Sequence, residues 1–89
     1  MHKLTDRVDE ALLVRVGAAA GGVEGVRAAT HVRARWSGSQ AYADLHIVVD
    51  PLISVSAGHA LAEEARARVL EAVPECGDAL IHVDVDFED

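Results

Sequence analysis

The chain has 89 residues, 51% of them apolar and 26% charged, with a formal charge of −7. That length supports a single small domain, residues 1–89, around one modest core. The acidic balance argues against nucleic acid, whose phosphates need clustered Lys and Arg, and against anionic lipid; it suits attraction of cations. The aromatic residues are Trp36, Tyr42 and Phe87 alone, so the core must be built from Val, Leu, Ile and Ala. No apolar run approaches the ~20 residues that span a bilayer. Lys3, Asp6, Arg7, Asp9 and Glu10 interrupt any signal peptide at the start. The lone Cys76 makes no internal disulfide, which points to a reducing compartment. A soluble, cytoplasmic chain without membrane insertion is the expectation.

In chain order, Thr5 or Asp6 is expected to cap a first helix with an apolar stripe of Val8, Leu12, Leu13 and Val16, stopped at Gly21-Gly22. From Arg27 to Trp36 the pattern alternates. Ala28, Thr30, Val32, Ala34 and Trp36 share one face, and Ala29, His31, Arg33 and Arg35 the other. The turn Ser37-Gly38-Ser39 leads to a second alternating run, with Ala41, Ala43, Leu45, Ile47 and Val49 inward and Tyr42, Asp44, His46 and Asp50 outward. After Asp50-Pro51, Ser54 or Ser56 caps a second helix running to about Ala72, with Leu61, Ala62, Ala65, Val69 and Val73 as its buried stripe. Pro74 ends it and Gly77 supplies a loop. A last strand from Asp78 to Asp86 turns Ala79, Ile81, Val83 and Val85 inward and Leu80, His82, Asp84 and Asp86 outward.

Helix, strand, strand, helix, strand is the order of an α/β two-layer sandwich, ferredoxin-like, with a three-stranded mixed sheet and both helices on one face. The second strand, second helix and third strand are expected to form a right-handed crossover. The first strand is expected to fill the gap between the second and third. It would then hold His31 beside both His46 and His82 on the open face, with Asp84 two residues beyond His82 and His59 opening the second helix. Imidazoles and a carboxylate are the donors a borderline-soft divalent ion such as zinc prefers. Neutral imidazoles gain little by clustering and cationic ones repel, so three on one face favour ligation over chance. Asp84 can bind the ion or orient a ligating histidine. Asp44 and Asp50 are read first as solvated acids and only second as oxygen donors. Arg33 and Arg35 read as salt-bridge or rim residues, Cys76 as a loop or packing residue, and the four acids from Asp84 to Asp89 as a solvated, frayed tail.

Several stretches resemble a known family. Gly25-Val26 followed by Thr30-His31-Val32-Arg33-Ala34-Arg35 looks like the hairpin entry of the cytoplasmic C-terminal domain of cation diffusion facilitator transporters. Asp44-Leu45-His46-Ile47-Val48-Val49-Asp50-Pro51 is similar to its second strand. Ser54-Val55 with Gly58-His59-Ala60-Leu61-Ala62 resembles its second helix, and Ile81-His82-Val83-Asp84 its last strand. Leu4-Thr5-Asp6-Arg7 looks like the segment that follows its last membrane helix. The resemblance implies a metallochaperone-like fold forming a V-shaped homodimer, a regulatory domain attached to its own transmembrane transporter domain at the cytoplasmic face of the membrane. It also implies divalent-cation binding, commonly zinc, at His31, His46, His59, His82 and Asp84, with binding closing the dimer. This chain departs at Glu24, where the family often has Pro, and at Ala57 and Gly58, where acids are common; Gly58 should loosen the helix start.

Two other classes remain open on residues alone. A small-molecule-sensing or purely dimerising ferredoxin-like domain would use the same sandwich but would not need three histidines. A metal hydrolase would need a nucleophile system and a deep pocket that 89 residues hardly provide. A heavy-metal chaperone is disfavoured because the chain has no Cys-x-x-Cys.

Overall fold

Asp9 caps the first helix of the computed structural model, which describes residues 9–86. Its carboxylate accepts from the Leu12 backbone N–H at 3.1 Å. The elements are α1 (Glu10–Gly21), β1 (Ala28–Ser37), β2 (Gln40–Val49), α2 (Val55–Ala72) and β3 (Cys76–Val85). The expected caps Thr5 and Asp6, and Val8, lie outside the described residues. Gly22 ends α1, its N–H returning to the Ala18 carbonyl at 3.1 Å. Ser54 rather than Ser56 caps α2, its hydroxyl accepting from the Ala57 N–H at 3.0 Å. Ser37 pairs with Gln40, so the hairpin turn is two residues long, and Gly38 stands at its first central position with φ +65. That is where a type II′ turn uses glycine, because a Cβ is disfavoured there.

The strand order is β1-β2-β3, which corrects the expected order with β1 in the middle. β2 is central, antiparallel to β1 and parallel to β3. The physical reason lies in burial. Ala41, Ala43, Leu45, Ile47 and Val49 are all buried, as a strand paired on both sides and covered by both helices requires, whereas β1 offers only partly buried Ala29, Val32 and Ala34. Leu12, Val16 and Ala20 of α1, Ala65 and Val69 of α2, and Val73 complete the core with Val23, Cys76 and Ala79. Because the odd-numbered residues of β2 are committed inward, Tyr42, Asp44 and His46 are forced onto the uncovered face.

β1 does not alternate without a break. Thr30 pairs with His46 and Arg33 with Asp44, so residues 31 and 32 together oppose Leu45 in a β-bulge. The extra residue is His31, whose φ of +52 makes it the one non-glycine residue in the left-handed region among the described residues. Ahead of the bulge the expected phase is inverted: Ala29 packs on the core, and Thr30 lies opposite His46. β3 begins at Cys76, two residues earlier than expected, and Cys76 is buried, which pushes its thiol pKa up.

Ion pairs stitch the rim. Arg15 holds Glu75 through two hydrogen bonds at 2.7 and 2.9 Å, which lowers the Glu75 carboxyl pKa. Asp78 is held below the usual carboxylate range chiefly by the Ala79 N–H and then by Arg66. Arg27 pairs with Asp86 at 3.0 Å and with Asp50 at 3.6 Å. The C-terminal acids are therefore not a uniformly solvated tail: Asp84 lies on β3 and Asp86 is paired, while residues 87–89 lie outside the described range. Val83 and Val85, expected inward, are 42% and 37% exposed, because the start of α2 leaves a groove there lined also by Val49, Ile53, Val55 and Gly58.

Candidate metal centre

The open face gathers its polar groups around His46. Leu45 and Ile47 on either side are fully buried, so the imidazole of His46 has only the open face to occupy. Across the parallel ladder His46 pairs in register with His82, and their rings stack with centroids 4.5 Å apart and an interplanar angle of 25°. On the other side the bulged His31 ring lies 4.9 Å from His46, tilted by 52°. Its Nδ1 is 3.1 Å from the Thr30 hydroxyl. Because β2 is central, His46 rather than His31 is flanked by the other two histidines, which corrects the expected placement of His31 between them.

Each of the two stacked imidazoles meets a carboxylate on the neighbouring strand. His46 Nδ1 is 2.9 Å from Asp84 Oδ2, and His82 Nε2 is 3.1 Å from Asp44 Oδ1. A carboxylate only accepts, so it fixes the ring nitrogen that carries the proton. In the neutral ring Asp84 thereby leaves His46 Nε2 with a free lone pair, the condition for ligation. Side-chain exposures of 29% to 44% across the four residues give a half-buried, solvent-accessible patch.

Donor atoms of Asp44, His46 and His82 all lie within 4.8 Å of one another. Donors around a tetrahedral zinc are ~2.0–2.1 Å from the ion and therefore about 3.3 Å apart, a contraction that side-chain rotation alone can supply. Two imidazoles and a carboxylate are also donors that a divalent ion of this kind accepts. Of the residues expected from sequence, His46 and His82 thus come together, Asp84 stands against His46, and His31 adjoins the group. Sequence reasoning undervalued Asp44. The available signal was its place two residues before His46, the mirror of Asp84 two residues after His82. His59 is not brought to the cluster: it lies on α2 and lines the groove on the covered side of the sheet, 74% exposed and 3.8 Å from Glu63. Asp50 is engaged elsewhere, accepting from the Leu52 N–H at 2.8 Å.

The left-handed backbone at His31 makes a testable distinction. An L-residue in that region costs roughly 1–2 kcal/mol that glycine avoids. His31→Gly is therefore expected to be more stable than His31→Ala by about 1 kcal/mol in urea denaturation, although both remove the imidazole. Equal stabilities would mean that the bulge relaxes out of the left-handed region.

In class this is a two-layer α/β sandwich that leaves one sheet face open, with imidazoles and carboxylates converging on it. Comparison with known proteins narrows this further. The family profile described as "Cation efflux protein, cytoplasmic domain" matches residues 8–86. "Metal tolerance protein C1" of Arabidopsis thaliana is 43% identical over 65 residues, covering 73% of this chain and 14% of that protein. "Probable cation efflux system protein Rv2025c" of Mycobacterium tuberculosis is 35% identical over 81 residues, covering 91% of this chain and 24% of that protein. Among solved structures, a MamM CTD variant in a nickel form superposes with a TM-score of 0.85 at 32% identity, covering 89% of this chain and all (100%) of that one. Another MamM CTD variant, in a copper form, gives 0.84 at 31% identity, with 88% and 98% covered. The chain belongs to the cation efflux protein cytoplasmic-domain family. The family is that of a transport protein's cytoplasmic domain and not of an enzyme. It spans about a quarter or less of the length of the curated relatives it matches. No helix among the described residues is long and apolar enough to cross a membrane.

Proposed function

We propose that this domain is a homodimeric metal sensor at the cytoplasmic face of a cation efflux transporter, binding a divalent cation, zinc first among them, on the open face of its sheet. The observation that carries the reading is the convergence of Asp44, His46 and His82 from two parallel strands. Asp84 holds His46 in the ligating tautomer, and His31 stands ready as a further imidazole at the edge of the cluster. The relatives with nickel and copper forms support metal handling by the family without choosing the ion. A bound divalent ion supplies positive charge that draws carboxylates and imidazoles together.

Two features support a second copy. His59 lies on the covered side of the sheet and reaches an ion on the open face only from another protomer. Near it, Leu52 and Val55 are 90% and 91% exposed, an apolar lip that a partner would cover. With ligands drawn from both protomers, binding favours the closed V. At a hundredfold excess over Kd the stabilisation is about 2.7 kcal/mol, enough to invert an equilibrium between two arrangements that differ by one or two. The segment ahead of α1 would carry that closure to the transporter's membrane helices.

The test is zinc titration of the metal-free protein by calorimetry, with sedimentation and small-angle scattering on the same samples. Micromolar or tighter binding together with a more compact dimer is the expected result. A dimer of unchanged shape that takes up no zinc would leave a dimerisation module and remove the sensor.

A further inference from the structure

We propose that Arg33 is a resident counter-cation of the Asp44–His46–His82 cluster, displaced from Asp44 when a divalent ion binds, and so sets how tightly this chain takes the ion. The inference rests on the cluster being the cation site proposed above.

The placement of Arg33 follows from the bulge. With Thr30 opposite His46, an unbroken antiparallel ladder would set Val32 opposite Asp44. One extra residue, accommodated by the left-handed His31, advances the register so that Arg33 takes that place. Arg33 Nη2 then lies 3.7 Å from Asp44 Oδ2, while Asp44 Oδ1 is 3.1 Å from His82 Nε2. Both carboxylate oxygens are thus engaged, one by a group that becomes a fellow ligand and one by a cation that cannot. The guanidinium has no lone pair to offer a metal, and its positive charge opposes the incoming ion.

The pair is built to open. Arg33 is 75% exposed, and an ion pair this accessible to water is weak and screened by salt. The side chain can swing into solvent without disturbing the core, since its inward neighbours Val32 and Ala34 do the packing on that strand. While the site is empty, Arg33 offsets the negative charge of the Asp44 carboxylate. When the ion arrives, Arg33 is repelled. Cations too weakly charged to offset that loss are discriminated against.

Arg35 provides the control. It carries the same charge on the same strand but pairs with Tyr42, one position farther along the face from the cluster. The experiment is zinc titration by calorimetry of the parent, Arg33→Gln and Arg35→Gln at low and at physiological ionic strength, with circular dichroism to confirm the fold. A unit charge a few ångströms from a divalent ion in a water-like dielectric corresponds to an affinity gain of about three- to tenfold for Arg33→Gln at low ionic strength. The gain shrinks as salt rises, and Arg35→Gln gains clearly less. Arg33→Gln binding no tighter than the parent, or no tighter than Arg35→Gln, overturns the counter-cation role and leaves the metal site standing. Absence of zinc binding in the parent and in Arg33→Gln alike overturns both.

Discussion

Replacing His46 and His82 together by alanine is expected to reduce zinc affinity by more than about 100-fold, since even the outer-shell partners of a metal site typically cost 10- to 100-fold when lost. The double substitution removes two of the three donors that lie within 4.8 Å of one another and leaves Asp44 alone. It also frees Asp84 from the only imidazole it holds at 2.9 Å. The fold should survive, because both rings stand on the open face and the core neighbours Leu45, Ile47 and Ile81 are untouched. Calorimetry for binding and circular dichroism for the fold separate the two effects. Retained affinity in a folded variant would place the ion elsewhere in the chain. In the parent, affinity should fall on acidification, since a protonated imidazole cannot ligate.

Leu45→Ala is expected to be the most damaging single change to stability, at about 3–4 kcal/mol, within the usual range for a buried leucine. Leu45 is 0% exposed on the central strand, directly beneath the bulge. A domain of 89 residues holds roughly 4–13 kcal/mol in all, so this one cavity removes a large fraction of it. Leu80→Ala is the matched control, because Leu80 is 58% exposed and its loss should change stability by less than about 0.5 kcal/mol. Urea denaturation of both variants measures the difference. A small loss for Leu45→Ala would show that the helices collapse onto the gap. Because Leu45 lies between Asp44 and His46, the variant should also bind zinc more weakly than Leu80→Ala.

The element order and the face of β2 were legible because its inward positions are uniformly apolar and its outward ones, Val48 apart, carry polar groups. β1 was not, for two physical reasons. Its first residues, Ala28, Ala29 and Thr30, are small enough to suit either face, and the inserted residue is a histidine rather than the glycine that usually announces a bulge. The strand order was open because local alternation does not say which strand is paired on both sides. The large apolar side chains of Leu45, Ile47 and Val49 at its inward positions were the hint that β2 is central. His46, His82 and Asp84 could be assigned to one face from period alone, while the partnership of Asp44 with His82 depends on the parallel register of β2 and β3. His59 belongs to a helix, and no periodicity states on which side of the sheet a helix lies.

The two carboxylate–imidazole contacts each join residues 38 positions apart in the chain, whereas β1 and β2 are joined by a turn of two. Closing the longer loop costs more entropy, so the hairpin can form before the crossover through α2 has docked. A nascent or partly unfolded chain therefore presents His31, His46 and Asp44 without His82 or Asp84. Only once β3 has docked do all the side chains of the candidate site stand together, so its assembly reports that the crossover is complete.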